Sequence, residues 1–427
     1  MSTTAIPPAA PIDTHIENPL AHLSEQQLDE LAREFDAIRD RVTADLGSRD
    51  RRYIESMIEM QRRLAVLGRA LLLASRNRGA WYAGTAALSA AKILENMEIG
   101  HNVMHGQWDW MNDPRIHSST WDWDTASTAE AWKHSHNYVH HTYTNIRGKD
   151  KDLGYEIMRI DPAQKWHPVY LLQPFYNLVL AALFEWGVAF HDLDFEAIRT
   201  GRKSKSQVKR ELKGIAGKAK AQVVKDYIAW PLVSALAATA VDAVVETRRQ
   251  AKKPRGGILG RMTKRKRQSR FAPVVEAALT SGAKTFRQTA KADATSNIAR
   301  NLWAYAIIFC GHFPDQTYTF SQKEVEDESR GGWYIRQLTG SANIEGSPLF
   351  HVASGNLGYQ VEHHLFPDMP STRYAEIAPQ VKDVCERYGL PYNSGPFSQQ
   401  LGMVQRTILR LALPGGRPRP KPGPYKG

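Results

Sequence analysis

The sequence predicts a mainly α-helical protein that is integral to a membrane, with about four spans and a polar helical cap on one side. Three observations carry that reading. Apolar runs recur at Leu64–Ser75, Ala80–Ile99, Val169–Phe190, Ala229–Val245 and Leu302–Cys310. Polar, histidine-rich segments adjoin several of those runs. The mean hydropathy of −0.45 excludes a chain made mostly of membrane helices and fits a few spans with large water-exposed parts.

Taken in order, residues 1–23 read as a disordered tail with no apolar core of a cleavable signal. Ser24 and Gln27 are placed as a capping box, and Leu28, Leu31, Phe35, Ile38 and Val42 form one apolar stripe of a soluble amphipathic helix. A second helix starts near Ser48. Leu64–Ser75 and Ala80–Ile99, joined by a turn at Arg76–Gly79, read as a membrane hairpin leading into His101, although a full span needs roughly 20 apolar residues. The bland reading of the same stretch is a buried hairpin of a soluble protein. Residues 101–166 are dense in His, Trp and Asp and belong in water. Their Trp108, Trp110, Trp121 and Trp123 read first as core or interface anchors. Thr200–Lys225 suits a basic helix on an anionic surface.

Residues 247–270 carry eleven Lys or Arg and no acid, which by the positive-inside rule keeps this loop cytoplasmic. That conflicts with pairing 226–246 and 297–312 as spans, unless Val169–Phe190 crosses and Leu302–Cys310 only dips in. Ser371–Tyr388 reads as a helix stopped by Gly389, and 414–427 as a disordered Pro, Gly and basic tail. The body of the chain is thus 24–413, with 247–296 a basic block within it.

The net charge of +12 favours an anionic partner. Two cysteines, Cys310 and Cys385, exclude a disulfide framework and a cysteine-held iron–sulfur cluster, and point to a reducing, intracellular setting.

Eight of the fifteen histidines fall in four places: His101 and His105; His136, His140 and His141; His312; His363 and His364. Residues four apart on a helix share a face, whereas neighbours diverge by about 100°. The adjacent pairs therefore suit two metal ions, and eight imidazoles are too many for one. Imidazole suits iron, zinc, copper or nickel. The soluble di-iron bundle pattern, Glu-x-x-His from each of two helices, and the H-E-x-x-H protease signature are absent. Glu362, beside His363, reads as a carboxylate supporting that ligand.

With these blocks in view, the chain resembles the membrane fatty-acid desaturases with their three histidine boxes. The likeness rests on His101-x3-His105, His136-x3-His140-His141 with Thr142-Tyr143-Thr144-Asn145, and Gln360-Val361-Glu362-His363-His364-Leu365-Phe366-Pro367. Within that family it is similar to the mycobacterial stearoyl-CoA 9-desaturases through Glu95–Asp113 and Phe309-Cys310-Gly311-His312-Phe313-Pro314, over roughly residues 25–400. The resemblance implies that His101, His105, His136, His140, His141, His312, His363 and His364 bind two non-haem irons in a cytoplasmic cap on the cell membrane. Gln360 stands where many relatives have a further histidine, and is counted with the metal set, directly or through water. His117 is a lesser candidate for metal or substrate. His15, His22, His134, His167, His191 and His351 read as structural or exposed.

The implied reaction uses O2 and two electrons to place a cis double bond in a fatty acyl-CoA, at position 9 of stearoyl-CoA. Desaturation elsewhere, of linoleoyl-CoA or nearer the carboxyl end, and hydroxylation on the same fold stay open. The chain carries no G-x-G-x-x-G nucleotide fingerprint and no His-Pro-Gly-Gly haem motif. The electrons are therefore expected from a separate NADPH-dependent flavin and iron–sulfur oxidoreductase. A basic metal-storing or nucleic-acid-binding protein is the reading from charge alone, but no nucleic-acid motif accompanies the basic loops.

Overall fold

A computed structural model describes residues 22–251 and 272–417. Helix α1 (Glu25–Ala44) starts at Ser24, whose Oγ accepts the Gln27 N–H at 3.3 Å while Gln27 Oε1 accepts the Ser24 N–H at 3.0 Å. Its stripe of Leu31, Phe35, Ile38 and Val42 is buried in the core of the cap. Helix α2 (Ser48–Leu72) fuses the second predicted helix with the first apolar run. Asn77 then caps α3 (Arg78–Ile93) by accepting the Ala80 N–H. The two helices meet closely because Gly68 and Gly84 lie at the crossing. A Cβ on Gly68 would come within 2.9 Å of Leu88 N, and one on Gly84 within 2.9 Å of Leu72 Cγ.

Helix α3 runs on through a wider, π-helical segment, Leu94–His101, into Asn102–Met104. Helix α4 is built the same way, from Ala129–Trp132, the π-helical Lys133–His140 and His141–Tyr143. Both carry histidine pairs, in keeping with the tendency of π-bulges to mark functional sites.

Val169–Phe190 does not form one helix long enough to span. It breaks at Leu183 into α5 (Gln173–Ala182) and α6 (Phe184–His191). These are about 15 and 12 Å long, against a hydrocarbon core of roughly 30 Å. Nor does Leu302–Cys310 dip in: it forms the last turns of a long helix that ends at His312.

A third long helix joins α7 (Lys205–Val223), a π-helical segment Val224–Ala229 and α8 (Trp230–Ala251) without a break. Residues 252–271, with much of the basic loop, lie outside the described residues. So do residues 1–21 of the first tail and 418–427 of the second. Helix α9 (Ala272–His312) returns along α8, so residues 272–296 of the basic block are helix continuous with the histidine end.

Among the described residues, one helix, Lys205–Arg249, is long and apolar enough to cross a membrane. Leu232, Val233, Leu236, Val241, Val244 and Val245 form its exposed flank. Helices α2, α3 and α9 are long but carry charges that are paired between them. Arg69 on α2 bonds Asp226 at 2.9 Å and Asp293 on α9 at 2.5 Å, and Lys92 on α3 bonds Asp226 at 2.8 Å. Asp226 is fully buried. Removing one partner of such a network leaves an uncompensated buried charge. Asp226→Asn is therefore expected to lower stability by about 3–5 kcal/mol, read as an earlier thermal unfolding midpoint in detergent. An unchanged midpoint would show that the network does not hold the hairpins together.

The cap is completed by α10 (Arg330–Thr339), α11 (Gln360–Leu365), α12 (Tyr374–Arg387) and α13 (Phe397–Leu411). A short parallel pair, β1 (Asn343–Glu345) and β2 (Ser394–Pro396), anchors α11. Asn343 Oδ1 accepts the Val361 N–H at 2.8 Å.

Candidate metal centre

Four elements bring the histidines together. The π-helical end of α3 supplies His101 and His105, with ring centroids 4.5 Å apart. Helix α4 supplies His136 and His140, stacked at 5.0 Å, and His141, turned 76° from His140. Helix α9 ends in His312. Helix α11 presents His363 and His364 at 85° to one another.

The rings sort into two sets. His101, His105, His136 and His363 each offer a ligand atom within 4.8 Å of the others, and so do His140, His312 and His364. His141 lies between the sets, 4.8 Å from His105 and stacked at 4.6 Å on His364. Gln360 joins the second set, its amide nitrogen 3.1 Å from His312 Nε2.

The donor atoms fit metal ions. Nε2 of His105, His136, His140, His363 and His364, both ring nitrogens of His141, Nδ1 of His312 and Oε1 of Gln360 are buried without a hydrogen-bond partner. Buried polar atoms are paired in the great majority of cases, and each orphan costs about 1–3 kcal/mol. So many converging on one place calls for cations among them. Burial pushes His105, His141, His363 and His364 well below the ordinary imidazole pKa, and neighbouring rings push the same way. Their rings stay neutral, with lone pairs available to a metal.

On five of the rings Nδ1 is held. His101 Nδ1 donates to Asn102 Oδ1 at 3.0 Å, His363 Nδ1 to the Tyr374 hydroxyl at 3.2 Å and His364 Nδ1 to Gln337 Oε1 at 3.0 Å. His136 Nδ1 donates to Asp152 at 3.2 Å and His140 Nδ1 to Asp150 at 3.1 Å. Burial disfavours a charged His140, but Asp150 and Asp152 outweigh it and raise its pKa. Such partners fix ring orientation and raise ligand basicity.

Sequence reasoning missed Asp150, Asp152, Gln337 and Tyr374. The signal was Asp150-Lys151-Asp152, ten residues past His140, which looks like any polar loop. It also misplaced Glu362. Neighbours on a helix point about 100° apart, so Glu362 faces away from the metal set. There it accepts from Asn343 Nδ2 at 2.9 Å and the Tyr392 hydroxyl at 2.7 Å, and burial pushes its carboxyl up to about 7.

His191, read as structural or exposed, is buried, and its Nε2 donates to Asp152 at 2.9 Å. His117 pairs locally with Ser119, away from the rings. His134 stacks on Tyr138, His351 stacks on Tyr359 and His167 accepts the Val169 N–H. His15 lies outside the described residues.

A mostly apolar cavity opens beside the first set. His101, His136, Trp132, Met97, Tyr155, Phe184, Val188, Ala304 and Ile308 line it, and Asp152, Glu185, His191, Asp192 and Asn301 are also in its wall. Trp132 stacks on His136 at 4.7 Å and meets Trp123 at 5.2 Å. Trp123 thus lines the cavity, whereas Trp108 is wholly buried core.

The family model for fatty acid desaturase matches residues 79–245 and 253–396. An NADPH-dependent stearoyl-CoA 9-desaturase of Mycobacterium tuberculosis is 43% identical over 394 residues, covering 92% of this chain and 82% of that protein. Fatty acid desaturase 3 of Homo sapiens is 40% identical over 88 residues, covering 21% of this chain and 20% of its own length. An acyl-lipid (9-3)-desaturase of Borago officinalis is 34% identical over 102 residues, covering 24% of this chain and 21% of its own. No solved structure matches the chain.

Proposed function

The chain belongs to the fatty acid desaturase family, and from that premise we propose that it desaturates stearoyl-CoA at position 9, yielding oleoyl-CoA. The two hydrogens removed, two electrons and two protons reduce O2 to two waters. The observation that carries the reading is the convergence of unpartnered imidazole nitrogens beside a narrow apolar cavity. His101, His105, His136 and His363 would hold one iron. His140, His312, His364 and the Gln360 amide oxygen would hold the other, with His141 between them. Bound there, two non-haem irons supply the O2-dependent oxidising power that an unactivated methylene requires.

The chain's own residues do the rest. Asp150, Asp152, Tyr374 and Gln337 hold the Nδ1 protons and so aim the rings. Phe184, Val188 and Ile308 exclude water from the acyl chain and hold it against the rings. Electrons come from a separate NADPH-dependent flavin and iron–sulfur oxidoreductase. The relative's NADPH dependence supports this.

The protein sits in the cell membrane with its histidines cytoplasmic. Helices α2, α3, α8 and α9 make the four crossings, their charged residues sheltered by the Arg69, Lys92, Asp226 and Asp293 pairs. That topology puts the C-terminal end of α8 and the N-terminal end of α9 on the far side, with Arg248 and Arg249 there against the positive-inside rule.

Purified protein with a competent donor, stearoyl-CoA and O2 is expected to give oleoyl product and to hold two irons per chain. Mass spectrometry with double-bond location reads the first and metal analysis the second. A bond elsewhere would overturn the regiochemistry alone. A hydroxy-acyl major product would overturn desaturation.

A further inference from the structure

Resting on the desaturase reading, we propose that Ala304 sets the length of acyl chain this protein accepts, by facing the place in the cavity where the methyl end stops. The α9 wall of the cavity is formed by Ile308, Ala304 and Asn301. They precede His312 by about 6, 12 and 16 Å along the helix axis, at 1.5 Å per residue.

Beyond Ala304 along α9 the cavity wall passes into paired polar groups, with Glu185 and Asn301 in the wall itself. The wholly buried Arg300 ion-pairs with Glu185 and donates to Asp124 O at 3.0 Å. Gln222 Nε2 donates to Glu185 at 2.8 Å, and Asn301 Nδ2 to Ala182 O at 3.0 Å. An apolar chain end gains nothing by displacing such bonds, which leaves buried polar groups unpaired.

That end lies inside the helix bundle, where a large, anionic coenzyme A head cannot go. The methyl half of the substrate therefore points toward it. From a double bond at position 9, the rest of an 18-carbon chain extends roughly 10 Å. Counted from the level of His312, which ends α9 at the ring cluster, that reaches past Ile308 toward Ala304 and stays short of Asn301.

The opposite wall is stiff. Tyr155 stacks on Phe309 at 5.6 Å, and Phe184 packs edge-on to Tyr155 at 5.7 Å and Tyr305 at 6.0 Å. Room at the end thus depends on the absence of a larger side chain at residue 304.

The test offers 14-, 16-, 18- and 20-carbon acyl-CoAs in competition to the wild type, Ala304→Leu and Ala304→Gly with the same donor. Iron content and thermal unfolding are measured alongside. Ala304→Leu is expected to lose 18-carbon turnover relative to 14- and 16-carbon turnover by at least about tenfold, the low end of what one methylene is worth in an apolar pocket. Its double bond stays at position 9. Ala304→Gly is expected to raise 20-carbon relative to 18-carbon turnover, and keeps the proposal testable should the leucine variant fold poorly. An unchanged length profile in active, iron-loaded variants would overturn the proposal. So would an equal fall at every length in a folded, iron-loaded leucine variant, because it would put the carboxyl half at Ala304. A wild type that desaturates none of the four would overturn the desaturase reading itself, and the proposal with it.

Discussion

Replacing His141 with alanine is expected to cost the protein both irons, whereas replacing His364 is expected to leave about one per chain. The difference lies in where the rings sit. His364 packs with His140 and His312 in one set. His141 contacts members of both: His105, His136 and His363 on one side and His140 and His364 on the other, at centroid separations of 4.6–5.4 Å. Neither of its ring nitrogens has a hydrogen-bond partner, so no protein group competes for them. Its removal also opens a void at the junction on which the other rings lean. Desaturation is expected to fall by more than the roughly 10–100-fold that loss of an outer partner costs. Iron analysis of purified His141→Ala, with circular dichroism to confirm the fold, decides it. Two irons retained per chain would show that His141 is packing and not ligation.

The histidines were legible because helix geometry converts spacing into direction. A four-residue interval puts His136 and His140 in a stack, and adjacency sends His363 and His364 apart. The same geometry undid the reading of Glu362, since a residue next to a ligand is the one turned away from it. Asp150 and Asp152 were illegible for another reason. They reach the rings by a loop folding back under α4, and no periodicity marks a loop.

Among helices, α1 could be read because its stripe and cap agree. The long helices α2, α3 and α9 could not be read cleanly. Their charges are neutralised by partners as far as 224 residues away, which hydropathy along one segment does not register. Val169–Phe190 looked like a span because its run of apolar residues hides the break at Leu183. Only its backbone, in two pieces of 10 and 8 residues, gives the shorter elements away.

The carboxylates behind the rings carry the second large prediction. Asp150 is fully buried, and each of its oxygens has two donors to satisfy. Oδ2 accepts from His140 Nδ1 at 3.1 Å and the Asn145 N–H at 2.7 Å, and Oδ1 from His140 Nδ1 at 3.1 Å and the Asp152 N–H at 3.0 Å. An asparagine here keeps the shape but must turn an N–H2 toward one of those backbone donors. It also loses the charge that favours His140's proton on Nδ1. Asp150→Asn is therefore expected to weaken metal binding by about 10–100-fold. Iron is expected to leave the set containing His140 first, as read by competition with a chelator. Asp152→Asn is expected to do less, because Asp152 keeps some contact with water and shares its load between His136 and His191. Equal chelator resistance in Asp150→Asn and the wild type would mean that the carboxylate serves the loop and not the metal. The reverse order of the two variants would move the controlling partner from His140 to His136.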